Sequence, residues 1–373
     1  MIVEIKGVGT TNKGAHLLLL AILQEFSRRG INAEFCASPG FGMDYFSAAK
    51  HGLKLKVTLP SSRLPWSSIL GLLPKSTRNS YGLILDKDID LVLDASGFAY
   101  GDFWGAKKPL FRLNNVIEGK VPSKAKTILL PQALGPFDKK EVKDSFHKVV
   151  DKVDLIFARD TDSLNNLKRN YGDQSKFLLA PDFTNLLEVV AAETYPEGNV
   201  CIVPNYKMIA EGQNSYFNFL KDALVHLMQE NAKPYFLIHE GEKDKAIADK
   251  LNKELKIDLP IVMEEDPLMI KKRIKASQLI IVSRFHGLVS ALCQGVPVIA
   301  TSWSHKYKML LQDYQKATSL VDINSYQKEE LNAMIGERLA LSKREYYIQQ
   351  KEIIQEQKNK TTDMWDKVFD LIK

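Results

Sequence analysis

Short apolar runs alternate with helical stretches along this 373-residue chain, and after one polar break the alternation begins again. Strand patterns fall at Ile2–Lys6, 33–37, 91–93, 127–130, Leu155–Ala158 and 177–180, with helical patterns such as 15–29 and 139–152 between them. Strands joined through helices pair in parallel, and a sheet built that way is covered on both faces. The stretch ETYPEGN, 193–199, interrupts the series and reads as a linker. Beyond it come strands at Val200–Val203, 235–238, Ile261–Met263, Leu279–Val282 and 296–300. Helical patterns follow at 216–230, 243–255, Pro267–Ala276, 287–294 and 306–312. A chain of this length exceeds one ordinary core. The pattern predicts an α/β fold of two doubly wound parallel-sheet domains, 1–192 and 199–322, facing across a cleft. Helices over 323–373 are expected to pack back on the first domain.

Composition narrows the class. The chain is 45% hydrophobic and 26% charged, as in ordinary soluble globular proteins. No run approaches the ~18 apolar residues that span a bilayer. The opening MIVEIKGVGT reads directly as a strand and lacks a signal-peptide pattern. Cys36, Cys201 and Cys293 lie far apart inside apolar runs, which argues against a disulfide framework or a zinc site. The cytoplasm is the expected compartment. A formal charge of +6 suits an anionic substrate or a membrane surface. No nucleic-acid motif is present, and no nucleic-acid partner is expected.

One segment, 59–82 (LPSSRLPWSSILGLLPKSTRNSYG), breaks the alternation. It reads either as an irregular insertion packed on its own domain or as a loop for peripheral membrane contact. In the second reading Trp66, Ile69, Leu70, Leu72 and Leu73 enter the bilayer interface while Arg63, Lys75 and Arg78 meet anionic headgroups.

Ligands of open α/β sheets bind outside the carboxyl ends of the strands. In the first domain the residues just past the strands are Gly7, Gly9, Thr11 and Asn12; Asp94, Ser96 and Gly97; Gln132; Arg159 and Asp160; and Asp182. In the second they are Asn205, His239, Glu240, Arg284, His286, Ser304, His305 and Lys306. The segment 283–311 is the richest, since two successive strand ends bring Arg284, His286, His305 and Lys306. These groups suit a small anionic substrate, with an imidazole for proton transfer. GVGTTNKG, 7–14, opens a helix but is neither GxGxxG nor a P-loop, so it reads as an anion-binding turn or simply a tight one. Arg159 reads as an anion ligand or as the partner of Asp160. Ser304 is a plausible N-cap for the helix that His305 and Lys306 begin. His16, His51, His147 and His226 fall in helix or loop patterns and read as structural or solvated.

At this point the chain resembles the bacterial polysaccharide pyruvyl transferase family. The most specific match is SRFHGLVSALCQGVPVIA, 283–300, similar to the family's S-R-x-H segment ending in G-x-P. LPQALGPF (130–137), FARDTDSLNNLK (157–168) and LAPDFTNLL (179–187) support it in order. The first loop departs from the family's G-x-x-N-x-G-D, since Ala15 and His16 follow Gly14. The turn DASGFAYGD, 94–102, carries fewer glycines than usual.

The resemblance implies a fold similar to GT-B glycosyltransferases. It implies transfer of pyruvate from phosphoenolpyruvate to a sugar, as a ketal across two hydroxyls. Phosphoenolpyruvate would be a co-substrate, with no metal or organic cofactor, and the acceptor a polymer, an oligosaccharide or a lipid-linked saccharide at the inner membrane face. Read this way, His286, Arg284 and Asp182 are catalytic. His286 serves as the acid, and Asp182 orients or deprotonates a sugar hydroxyl. Arg159, Arg284 and Lys306 bind the anionic donor. Gly9, Asn12, Ser96, Gly97, Gln132, Asn205, His239, Ser304 and His305 complete the substrate contacts. Two other readings stand beside it. One is a GT-B-type glycosyltransferase whose Arg284 and Lys306 hold a nucleotide sugar's diphosphate. The other is a non-catalytic glycan- or anion-binding protein, supported by the altered glycine loops.

Overall fold

A computed structural model describes residues 1–40, 43–57, 70–190 and 199–373. The chain divides into two compact units, Met1–Phe183 with Thr361–Lys373, and Thr184–Lys360. Among the described residues the first unit holds an eight-stranded sheet, ordered β4-β3-β2-β1-β5-β6-β7-β8. Its strands are β1 (Ile2–Lys6), β2 (Glu34–Ala37), β3 (Lys54–Lys56), β4 (Leu83–Ile84), β5 (Leu91–Asp94), β6 (Lys126–Gln132), β7 (Leu155–Ala158) and β8 (Phe177–Leu179). The second unit holds five strands ordered β11-β10-β9-β12-β13. These are β9 (Val200–Val203), β10 (Pro234–Ile238), β11 (Ile261–Met263), β12 (Leu279–Val282) and β13 (Val298–Ala300). Neighbouring strands pair in parallel in both sheets. The charged three-residue β3 and two-residue β4 carry too little apolar pattern to be read from the sequence.

Strand order reverses between β1 and β5 in the first sheet and between β9 and β12 in the second. At such a point the flanking loops diverge and leave a crevice at the carboxyl ends. The continuous apolar run of β9 is explained by two covered faces. Val200 and Ile202 enter the core beneath the helix Met208–Gln229, while Cys201 and Val203 pack with Leu288 and Leu292 on the other side. Each fully buried aliphatic side chain stabilises the fold by roughly 1.5–3 kcal/mol.

The C-terminal segment divides between the units, which differs from the expectation that all of 323–373 covers the first domain. Leu331 and Ile335, on the helix Lys328–Ala340, join the core of the second unit because the Met208–Gln229 helix offers an apolar face there. Only Thr361–Lys373 belongs to the first unit, where Trp365 and Phe369 pack on Phe26 with ring centroids 6.4 and 4.9 Å away. The unit boundary at Phe183 precedes the expected linker, and residues 191–198 lie outside the described residues.

The expected membrane loop falls partly outside the described residues, since Arg63, Trp66 and Ile69 belong to 58–69. Within the described part, Leu72 is 87% exposed. Arg78 does not face lipid. It is buried, its Nη2 donates to both oxygens of Asp88 at 3.0 and 2.9 Å, and its Nη1 donates to the Leu73 carbonyl at 2.6 Å. A guanidinium held by a carboxylate at two points has no reason to leave for solvent. No helix among the described residues is long and apolar enough to cross a membrane.

A buried charge network sits in the middle of the first sheet. The Glu4 carboxylate on β1 meets Lys6 at 3.0 Å and Lys56 at 2.8 Å, and accepts from Asn115 Nδ2 at 2.9 Å. Burial pushes this carboxyl up, but Lys6 and Lys56 outweigh it and hold it at about 2, against an ordinary value of 4.5. A depressed carboxylate stabilises the fold above its unfolded value and loses that contribution as pH falls. The relevant window therefore runs from about 4.5 down to about 2. Glu4→Gln should lower the unfolding free energy at pH 7 by on the order of 3 kcal/mol and flatten the acid limb of stability. Urea titrations across that window check both effects, and an unchanged slope in the variant would remove Glu4 from the acid response.

Candidate functional site

In the first unit the site begins where the loops after β1 and β5 touch. Gly7 has φ +79°, and a Cβ there would lie 2.4 Å from Ser96 Oγ, so glycine alone permits the approach. The Asp94 carboxylate fixes the opposite turn, accepting from Ser96 N at 3.0 Å, from Ser96 Oγ at 2.5 Å and from the buried Tyr100 hydroxyl. Burial, and then the negative Asp94, push the Tyr100 phenol well above its usual range. Gln132, at the end of β6, donates its Nε2 to the Asp94 carbonyl at 3.1 Å, while its Oε1 is buried without a hydrogen-bond donor.

Arg159 follows β7, and its Nη1 donates to Asp182 Oδ2 at 3.2 Å with both residues buried. A Cβ on Gly97 would stand 3.7 Å from the same Nη1. Asp160 is not the partner of Arg159. It caps the helix Thr161–Tyr171 by accepting from Ser163 N at 2.7 Å. Half-buried Ser96 and buried Gly97, Gln132, Arg159 and Asp182 thus form one polar group at the strand ends. Gly9 is buried in the loop after β1, and Asn12 Oδ1 caps the helix Lys13–Arg28 by accepting from Ala15 N at 3.0 Å.

In the second unit the ends of β9 and β12 meet at Ser283. Its Oγ accepts from the Tyr216 hydroxyl at 2.8 Å and lies 2.8 Å from Thr301 Oγ1. Its carbonyl accepts from Asn205 Nδ2 at 2.8 Å and from the Tyr307 hydroxyl at 3.0 Å. Asn205 Oδ1 also accepts from Lys207 N at 3.0 Å, so this amide ties two loops together at both its ends.

Arg284 opens the helix Phe285–Leu292. Its Nε and Nη2 donate to the two oxygens of Asp244 at 2.9 and 2.6 Å, and its Nη1 donates to Glu240. The guanidinium fork meets carboxylates here, where the sequence suggested an anionic ligand. Burial opposes the Arg284 charge, but Asp244 and Glu240 outweigh it and raise its pKa. Burial pushes the Asp244 carboxyl up, and Arg284 offsets only part of that.

His286 is half-buried, with its ring edge-on to Phe285 at 5.5 Å between centroids. Lys306 Nζ stands 4.9 Å over the same Phe285 ring and 4.9 Å over Trp303, so His286 and Lys306 gather around one aromatic side chain. His239 is buried after β10, and His305 is exposed. Ser304 does not cap the following helix. His305 holds the cap position in helical conformation without a side-chain bond, and Ser304 Oγ is buried without a partner.

Several residues here escape a reading of the sequence. Asp244 looks like an ordinary charge on the helix Gly241–Leu255. Tyr216 and Tyr307 look like core aromatics. Lys207 Nζ lies 4.3 Å over the Trp303 ring, and burial followed by the Arg284 charge lowers its pKa. Lys207 follows β9 by four residues, and that position could have singled it out.

Residues 12–305 match the family model described as polysaccharide pyruvyl transferase. No curated protein matches the chain in sequence. Among solved structures, the UDP-GlcNAc 2-epimerase of Neisseria meningitidis bound to UDP-GlcNAc is similar at 10% identity and TM-score 0.59, covering 99% of this chain and 100% of its own. HepE of Anabaena in complex with UDP-glucose is similar at 12% identity and TM-score 0.56, covering 98% and 99%. An α-glucosyltransferase in complex with UDP and a 13-mer DNA is similar at 13% identity and TM-score 0.56, covering 100% and 98%. At these identities the likeness is one of fold, the GT-B kind shared by sugar-nucleotide epimerases and glycosyltransferases.

The Arg284 network makes a stability prediction. Asp244 is wholly buried and holds the fork at two points. Asp244→Ala strands a buried guanidinium and should cost about 3–5 kcal/mol. Lys245→Ala, which removes only an exposed pair with Asp249, should cost less than about 1 kcal/mol. Chemical denaturation of both variants compares them, and equal losses would mean that Asp244 does not support the site.

Proposed function

The chain belongs to the polysaccharide pyruvyl transferase family, and from that premise we propose that it moves pyruvate from phosphoenolpyruvate onto two hydroxyls of a sugar as a ketal. The observation that carries this reading is the match over 12–305, which takes in the ends of β5, β9 and β12 at the reversal points. In the reaction a proton adds to the methylene carbon of the donor, and a sugar hydroxyl oxygen bonds to its C2. The bond from C2 to the phosphate oxygen then breaks, and a second hydroxyl oxygen closes the ketal. Of the two hydroxyl protons, one balances the new methyl group and the other leaves with phosphate as hydrogen phosphate. No step needs a metal or an organic cofactor.

His286 is the proposed acid, because an imidazole can hold and release a proton near neutral pH. Its helix begins at the clamped Arg284, so the Asp244 and Glu240 contacts set where the ring stands. Arg284 is thus assigned to positioning and to the local field, and Lys306 to the donor's anionic groups. Arg159 and Asp182 are assigned to the acceptor hydroxyls, with Ser96, Gly97 and Gln132 lining that side and Gly9 and Asn12 shaping its loop. His239 and His305 are further candidates for donor contact. The acceptor is a polymer, an oligosaccharide or a lipid-linked saccharide, and in the last case the enzyme would work against the cytoplasmic membrane face.

A nucleotide-sugar glycosyltransferase is the second reading, favoured by the UDP-containing proteins that share the fold. Incubation with labelled phosphoenolpyruvate or with nucleotide sugars, over a set of β-galactosides and lipid-linked saccharides, separates the two. Acceptor-dependent phosphate release supports pyruvyl transfer, whereas release of nucleoside diphosphate sinks it. His286→Ala should keep its fold by circular dichroism and lose ~10²–10⁴ in rate. Near-normal turnover in that variant would end the proton-transfer role. Lys306→Ala should raise KM for phosphoenolpyruvate about tenfold with little change in acceptor KM, as expected for loss of a charge-assisted contact.

A further inference from the structure

We propose that Phe98, Phe103 and Trp104 form a stacking platform for a pyranose ring of the acceptor. The proposal rests on the pyruvyl transfer reading only in taking the acceptor to be a sugar. The loop leaves the Ser96–Gly97 turn at the carboxyl end of β5 and carries all three rings within eight residues of it. Phe98 and Phe103 stack at 6.1 Å with 19° between planes. Trp104 stands edge-on to both, at 5.5 and 4.9 Å.

The loop is held rigidly. Gly97 and Tyr100 carbonyls accept from Ala133 N at 2.9 Å and Gly135 N at 3.0 Å, and Asp102 N donates to the Pro136 carbonyl at 2.9 Å. The Asp102 carboxylate accepts from Asp138 N at 3.0 Å and Lys139 N at 3.2 Å. Gly101 lets the two loops close, since a Cβ there would lie 2.6 Å from the Gly135 carbonyl oxygen. Tyr100 is wholly buried in the same loop, yet Phe103 is 70% exposed. A loop this well fixed displays a large apolar ring that its own core does not use.

A pyranose ring has a flat C–H face, and that face packs on exposed aromatic carbon such as the Phe103 ring. A preorganised aromatic surface also loses little freedom on binding. The platform adjoins Ser96 and Gly97, already assigned to the acceptor side, so one saccharide can lie on both.

The test uses the full chain and three probes, methyl β-galactoside, methyl β-glucoside and methyl N-acetyl-β-glucosaminide. Tryptophan fluorescence titration without phosphoenolpyruvate reads binding, and phosphate release with saturating phosphoenolpyruvate reads turnover. At least one glycoside should quench the wild type. Phe103→Ala and Trp104→Phe should each raise its Kd and acceptor KM about tenfold, with the melting temperature and the KM for phosphoenolpyruvate unchanged. Unchanged Kd in both variants overturns the platform, as does a wild type that binds none of the three. Phe103-dependent sedimentation with anionic vesicles in place of glycoside binding assigns the rings to a membrane and overturns it too. Glycoside binding that depends on Phe103, without phosphate release on any acceptor, keeps the platform and discards the pyruvyl transfer reading.

Discussion

The Asp94 carboxylate stands where the first sheet reverses its strand order, and the polar surface of that unit is organised around it. Its oxygens hold the backbone and hydroxyl of Ser96 and the phenol of Tyr100, and Gln132 donates to its carbonyl. Because Ser96 is fixed, Gly7 can be pressed against it, and because Tyr100 is fixed, the following aromatic loop has one position. Buried and bonded on several sides, such a group specifies geometry more than it adds stability. Ser283 does comparable work in the second unit without charge, joining β9, β12 and the segment after β13 through hydroxyls and one amide.

Both units place an arginine at a strand end and pair it with carboxylate, Arg159 with Asp182 and Arg284 with Asp244 and Glu240. Paired guanidiniums keep their orientation and their charge where they are buried. The clamp on Arg284 bears on the proposed proton transfer because the helix carrying His286 starts there. Lys207 and Lys306 rest on the Trp303 ring at that strand end, 4.3 and 4.9 Å from its centroid.

Fold class was legible because buried parallel strands leave continuous apolar runs, and β1, β7, β9, β11 and β12 fall on the residues their patterns mark. The pattern failed where strands are short and charged, as in Lys54–Lys56. Arg159, Asp182, Arg284, His286 and Lys306 do follow strand ends, because position after a strand is a property of order along the chain. Partnership is not. That Arg159 meets Asp182 rather than its neighbour Asp160, or that Arg284 is held by Asp244, depends on which loops cross in space. Ser304 had a capping residue's chemistry, but the cap position falls to His305.

The first unit is assembled from both ends of the segment, with Phe26 and Phe183 waiting for Trp365 and Phe369. Arg29 likewise finds Asp366 at 2.6 Å, more than three hundred residues later. Domains that form during synthesis generally do so from the N-terminus onward. Here the order is inverted. All of Thr184–Lys360 is synthesised before the last helical turns that complete the first unit are made. A nascent chain therefore carries an unfinished first core, with Phe26 short of its two aromatic partners, until its final turns are made.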